Sequence, residues 1–262
     1  MHFPTHSALT CALVLAAVPC AQAGVESVTA QVDHNDYDQA RGSRDVAGVA
    51  ITGRTASSRW QLNAAHGQRD FGDTAYSGTR LGASLHHDWS RRVSTRTSAT
   101  FSDDSPVFAN RDISHEVKLK VLPNTLLNVS GRYAEYYGAT YVSGWSAGAE
   151  YYFPRVSASY RYSRNHLSTG GSGNGNTLML RLKDAQGRGS SQLWMGRGTS
   201  AYASDMDPLL LRDTRSTSIF LRRNHPVGEH LMLNAGIGKT WHETRFARFN
   251  SISSHLGLGY HW

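Results

Sequence analysis

The sequence predicts an all-β chain closed into a transmembrane up-and-down antiparallel barrel of about 14 strands, with 12 as the alternative count. Three observations carry this. Segment after segment alternates apolar and polar residues with a period of two, and the links between segments alternate between tight and mostly longer. The closing segment, Ser251 to Trp262, alternates without a break and ends on an aromatic. Ile252, Ser254, Leu256, Leu258, Tyr260 and Trp262 share one face of that strand, and Ser251, Ser253, His255, Gly257, Gly259 and His261 the other. An edge strand of a soluble sandwich has the same pattern, so the rest of the chain must decide.

In chain order the first element reads as a secretory signal peptide, residues 1–23. Ala8 to Val18 is a short apolar run, and Ala21-Gln22-Ala23 supplies the small residues of an A-x-A cleavage site before Gly24. Its start carries His2 and His6 but no Lys or Arg, and the run is too short for a spanning helix of about 20 residues. Pro19 just before Cys20 argues against a lipid anchor. Both cysteines, Cys11 and Cys20, fall in this segment, so residues 24–262 form one barrel domain without disulfides or cysteine metal sites.

The strands follow. Outward faces read as Ala47, Val49, Ile51; Leu81, Ala83, Leu85; Ile113, Val117, Leu119, Val121; and Leu127, Val129, Tyr133. Further on come Tyr141, Trp145, Ala147, Ala149, Tyr151; Val156, Ala158, Tyr160, Tyr162; Leu178, Leu180, Leu182; and Leu231, Leu233, Ala235, Ile237, Trp241. The weakest patterns are Val25 to Asp33, Arg59 to His66 and Thr214 to Arg222, and misreading two of them would leave 12 strands. Tight links stand near Thr55, Ser90-Arg91, Pro123-Asn124, Pro154, Ala185 to Arg188 and His225 to Val227. Polar, mostly longer links stand at 34–44, 70–73, 103–111, 138–140, 168–175, 203–211 and 243–248. That alternation puts both termini on the periplasmic side of an outer-membrane barrel.

Composition agrees. No stretch past residue 23 is apolar for the length of a membrane helix, so the chain is either soluble or a barrel. A mean hydropathy of −0.44 suits both, because only every second residue of a spanning strand faces lipid. The aromatics favour the barrel. Trp89, Tyr151, Tyr152, Phe153, Tyr260 and Trp262 gather beside the tight turns, and Tyr133, Tyr136, Tyr137, Tyr141, Trp241 and Phe246 beside the other links. Two interfacial girdles account for this grouping.

The stretch Val121 to Ser163 contains Leu122-Pro123-Asn124-Thr125, Arg132-Tyr133, Gly148 with Tyr151-Tyr152, Pro154-Arg155-Val156, and Tyr160-Arg161-Tyr162. This pattern resembles the YaiO family of outer-membrane β-barrel proteins. The resemblance implies an integral outer-membrane barrel of poorly defined activity, tied to surface polysaccharide. It implies no catalytic residue. The closing face Leu256, Leu258, Tyr260, Trp262 resembles the carboxyl-terminal signal read by the barrel-assembly machinery, with Trp where Phe is commoner.

The inward faces carry the candidate site. Arg80, Arg96, Lys118, Lys120, Arg132, Arg155, Arg161, Arg181 and Lys183 stand against Asp88, Glu116 and Glu150. Facing a wet lumen, that surplus favours anionic or carboxylated solutes, polysaccharide among them. The first reading is nevertheless a closed interior, in which Lys118, Lys120, Arg132 and Arg161 neutralise Glu116, Glu150 and Asp88, because a narrow barrel can be filled by Arg side chains.

A barrel hydrolase acting on lipid or peptide is the main competing class, with His86-His87-Asp88, with His34, Asp36 and Asp38, or with Asp205 and Asp207 at a rim. Nothing in their spacing marks a nucleophile beside a base. A soluble periplasmic β-protein that binds a ligand is the third reading. The histidines are scattered, so no metal site and no cofactor are expected. A net charge of +7 suits outer-membrane lipid and lipopolysaccharide as partners; without a reading element it does not make a nucleic-acid binder.

Overall fold

A computed structural model describes residues 24–39, 41–168, 170–199, 215–244 and 247–262. The proposed signal peptide, and Asp205, Asp207 and Phe246, lie outside the described residues. The strands are β1 (Val25–Tyr37), β2 (Ser43–Arg54), β3 (Ser58–Asp70), β4 (Ala75–Asp88), β5 (Val93–Ser102), β6 (Arg111–Leu122) and β7 (Thr125–Tyr136). They continue as β8 (Thr140–Tyr152), β9 (Val156–Leu167), β10 (Ser172–Lys183), β11 (Ser190–Thr199), β12 (Arg215–Val227), β13 (Leu231–Glu243) and β14 (Arg248–His261).

Each strand pairs antiparallel with its neighbours in sequence, and β14 pairs with β1 from Ser27↔His261 to Tyr37↔Ser251, closing the barrel. Closure leaves no edge and satisfies the backbone groups strand to strand, the condition for crossing lipid with strands. The barrel therefore has 14 strands, and the three segments with the weakest alternation are β1, β3 and β12. Their pattern is weak because small or polar residues such as Ala64, His66 and Thr217 stand among the outward positions, while β3 and β12 keep an unbroken register with each neighbour and β1 shows one shift against β2, between Val25 and Ser27.

The molecule is inside out relative to a soluble sandwich. Leu81 and Ile237 are 60% exposed and Val129 58%, while the buried groups include Arg44, Arg69, Asn128, Asn165 and Gln192. Cross-strand rows fix the two faces. His115↔Gly131↔Trp145↔Arg164 is one outward row, and Arg96↔Glu116↔Ser130↔Ser146↔Ser163 is an inward one. Among the described residues no helix is long and apolar enough to cross a membrane.

The links differ from the expected contrast in length. At the end shared by Val25 and Trp262 they are 55–57, 89–92, 123–124, 153–155, 184–189 and 228–230; at the other end they include 38–42, 71–74, 103–110, 137–139, 168–171 and 244–247. β1 runs on to Tyr37, β10 begins at Ser172, and β12 carries His225 to Val227, so those residues are strand rather than link. The polar side chains there face the lumen or lie near the rim, where a strand needs no apolar partner.

The 103–110 link folds inward. Val107 and Phe108 are 4% and 5% exposed and pack on Val46 and Ala65, two lumen-facing residues. Gly67 and Gly78 make the room: a Cβ at Gly67 would stand 2.9 Å from Phe108 and Val107, and one at Gly78 2.4 Å from Ser105 Oγ. Tyr136 also turns inward, 2% exposed beside Ala134, Val142 and Leu167, so it belongs to the lumen and not to a girdle.

Candidate functional site

The lumen holds a cavity of about 760 Å³, bounded by Arg96, Asp112, Glu116, Lys118, Arg132 and Arg161 on one side and by Tyr37, Ser218, Thr240, His242 and Ser251 on the other. The β5–β9 wall is built on the period of two: Val117 and Leu119 face lipid, so Glu116, Lys118 and Lys120 must face in. Serines between them interlock across strands, with Ser98 and Ser114 hydroxyls 2.7 Å apart and Ser130 and Ser146 likewise. Their small side chains leave the space into which the long charged groups reach.

Every inward carboxylate on this wall is paired, while Arg96 and Lys120 make no ion pair among the described residues. Lys118 Nζ donates to Glu150 at 2.7 Å and stands 3.5 Å from Glu116, which also accepts from Arg161 Nη2. Tyr152 donates its hydroxyl to Glu150 at 2.6 Å. Arg132 holds Asp112 through both Nε (3.1 Å) and Nη2 (2.7 Å), the forked geometry that makes guanidinium–carboxylate pairs strong. Asp112 thus takes the role expected of Glu116 or Glu150 toward Arg132. Asp88 stands 3.1 Å from His86, not from a Lys or Arg. A second pocket of about 450 Å³ opens at the Trp262 end, lined by His86, Asp88, Arg91, Arg92, Lys120 and Tyr152, and Lys118 lines both spaces.

Among the described residues the β10–β12 wall carries cations and no inward carboxylate. Arg181↔Gln192↔Arg222 form one row, and the Gln192 amide, with its oxygen toward them, accepts from Arg181 Nε and Nη2 at 3.2 Å. Arg222 Nε is buried without a hydrogen-bond partner. Beside them Trp194 and Phe220 pack at 5.8 Å between ring centroids. Gly236 and Gly238 accept the Phe220 ring, which a Cβ at either would meet within 2.6 Å.

Arg80 and Arg44 serve the inward link: their guanidinium carbons stand 4.7 and 5.3 Å from the Phe108 ring centroid, and Arg44 Nε donates to the Val107 carbonyl at 3.2 Å. Arg155 is not in the lumen. It sits in the 153–155 turn, where its guanidinium donates to the Lys183 carbonyl at 3.4 Å.

Hydrolytic candidates are dispersed. His34 pairs with Asp45 at 2.7 Å rather than with Asp36 or Asp38. Among the described residues two Ser–His contacts occur, Ser58 with His87 at 2.8 Å and Ser251 with His242 at 3.1 Å. His242 Nδ1 has no hydrogen-bond partner, so no carboxylate orients that ring as a triad requires. Among the described residues no three potential ligands gather for a metal ion.

Alternation finds Asp112 by one step back from Ile113 and Arg222 within the weakly patterned stretch Thr214 to Arg222, while Trp194 stands between Leu193 and Met195 on β11, a strand with too few outward apolar residues to make a run. Phe108 has a weaker signal, an apolar Val107-Phe108 pair inside an otherwise polar link.

A closed barrel with an apolar belt outside and a charged, water-accessible interior defines an outer-membrane β-barrel of the kind that channels and porins share. Solved structures agree in fold. The chain resembles the CymD monoaromatic hydrocarbon channel at a TM-score of 0.64 and 8% identity, over 91% of this chain and 88% of that one. It resembles a bacterial polysaccharide outer membrane secretin at 0.53 and 8%, over 90% and 98%. An anion-selective porin from Comamonas acidovorans matches at 0.50 and 12%, over 91% and 98%. The YaiO membrane beta barrel domain matches residues 25–205, and the chain belongs to that family.

Proposed function

We propose that this barrel is an outer-membrane channel for small anionic solutes, carboxylated sugars foremost, standing with both termini in the periplasm. One observation carries the reading: the described lumen carboxylates are all engaged, whereas several cations are not. Asp33 stands 2.7 Å from His255, Asp88 meets His86, and Asp112, Glu116 and Glu150 are held by Arg132, Lys118 and Arg161. Arg96, Lys120, Arg181, Lys183 and Arg222 make no ion pair among the described residues. Low-dielectric walls focus such a surplus into a positive potential that concentrates anions and repels cations.

The paired groups hug one wall and leave the 760 Å³ space open, which supports a wet path over a filled interior. Phe108 and the 103–110 link fill lumen space beside β2 and β3, so their removal widens the interior. The charge of this lumen and the polysaccharide tie that the family resemblance implies together make uronic-acid oligomers the first solutes to try.

Planar-bilayer recording in a potassium chloride gradient tests the proposal. The reversal potential should show preference for chloride, uronic-acid oligomers should reduce the chloride current, and Phe108→Ala should raise single-channel conductance. Absence of conductance from protein that shows folded, heat-modifiable migration would overturn the channel reading; preference for potassium would overturn its anionic cargo.

A further inference from the structure

The lipid face of β6–β9 is interrupted by a hollow of about 750 Å³. Its centre is Gly131, which stands between His115 and Trp145 in the outward row that ends at Arg164. A Cβ there would meet nothing within 4 Å, so the dent is real open space and not a close backbone approach. The next row toward the 137–139 link is Ile113↔Tyr133↔Ser143↔His166, all lining the same hollow. Toward the Trp262 end the surface below is purely apolar, with Val117, Val129, Ala147 and Tyr162 in the adjoining row.

A cation facing lipid is costly at mid-bilayer and nearly free at the interface, so Arg164 marks headgroup depth, with His166 one row nearer the rim. Neither has a salt bridge among the described residues, unlike the nearby Arg111, which stands 3.7 Å from Glu135. Outward Lys and Arg of the other strands follow the same asymmetry: Arg197 and Lys239 occupy the half away from Trp262, Lys239 with its Nζ 5.4 Å from the Trp241 ring centroid. In the opposite half Arg223 is matched by Asp184 at 2.6 Å.

We infer that the Gly131 hollow is a binding site for a phosphorylated glycolipid of the outer leaflet, an acylated phosphosugar. Arg164 and His166 take the phosphate, Trp145 and Tyr133 flank the sugar, and the acyl chains run over Val117, Val129 and Ala147. A guanidinium forks onto phosphate oxygens with paired charge-assisted hydrogen bonds, and the vacant glycine position admits the headgroup below the plane of its neighbours. The leaflet assignment rests on the orientation proposed above; the binding chemistry does not, and the experiment reads binding in micelles, where orientation plays no part.

Native mass spectrometry of the detergent-solubilised barrel, titrated with a bis-phosphorylated acylated glucosamine disaccharide, tests this. One glycolipid should stay bound to the unaltered protein. Arg164→Ala with His166→Ala, and separately Gly131→Leu, should each weaken retention about tenfold or more, while Arg188→Ala at the far rim should not. Gly131→Leu extends into open space, so heat-modifiable migration should be kept; a variant that loses it is replaced by Gly131→Val. Equal retention of the dephosphorylated lipid or of phosphatidylethanolamine would overturn the proposal, as would unchanged retention by the variants. A dimer that dissociates on Gly131→Leu would assign the hollow to a second copy of the chain and overturn it too.

Discussion

On the β6–β9 wall of the lumen Lys118, Arg132 and Arg161 each hold a carboxylate, whereas on the β10–β12 wall Arg181 rests on the neutral Gln192 amide and Arg222 makes no ion pair among the described residues. Both walls alternate in the same way and both turn cations inward. What differs is the sequence between the cations: Asp112, Glu116 and Glu150 on one side, Met179, Gln192 and Trp194 on the other. Paired charge fixes side-chain geometry and largely cancels its own field. Unpaired charge sets the potential that an ion would meet in the proposed channel.

The widest separation between the walls should come from reversing the unpaired charge. Arg181→Glu with Arg222→Glu changes the lumen by four charges without touching an ion pair, so permeability should swing from anion toward cation preference by about tenfold. Neutralising the paired wall with Lys118→Met and Glu150→Gln removes one charge of each sign and should leave selectivity nearly where it was. Reversal potentials of the two double variants decide it, and equal shifts would erase the distinction.

Stability should respond the other way round. Arg132→Met leaves Asp112, 25% exposed at the side chain, without its forked donor, and should cost about 2 kcal/mol in urea unfolding, as expected for a lost hydrogen bond to a charged group. Arg222→Met removes a guanidinium whose buried Nε has no partner, and should be neutral or stabilising. A larger loss for Arg222 than for Arg132 would contradict the assignment of structure to one wall and potential to the other.

How much of this the sequence discloses follows from what alternation can and cannot encode. It assigns faces, so Glu116 and Lys118 read as inward from Val117 and Leu119 alone, and strand count follows once each face finds a neighbour. It does not encode partners across the barrel. Arg161 reaches Glu116 across 45 positions of sequence and three strands, a contact set by curvature and side-chain length. Strand ends fade for a physical reason. Near the rims the outward face need not be apolar, so Asp112 falls just outside the run that begins at Ile113, and Tyr136 reads as a girdle residue although it shares the inward parity of Arg132 and Ala134; Arg222 lies on β12, whose outward face is too polar toward Arg215 to make its parity plain. The inward turn of 103–110 depends on Gly67 and Gly78 of two other strands, a complementarity between distant segments that no local pattern reveals.

The smallest effect is expected where the cation-rich wall does meet an acid. Asp184, in the 184–189 turn, accepts from both Arg223 guanidinium nitrogens, at 2.7 and 2.6 Å. Arg223 is the residue after Arg222 and faces outward, so this carboxylate supports the rim and leaves the lumen's surplus intact. The Arg223 hydrogen bonds hold the Asp184 carboxyl below its ordinary range, outweighing the opposing effect of desolvation. A depressed folded value means the contact stabilises above the ordinary carboxylate range and fades as pH falls through it. Asp184→Asn should therefore differ slightly from the unaltered protein in thermal unfolding at neutral pH, the gap closing between about pH 5 and pH 2. Its reversal potential should stay put at every pH, because the pair lies outside the path; a shift in selectivity would mean that Asp184 screens Arg222 and that the two faces of β12 are coupled.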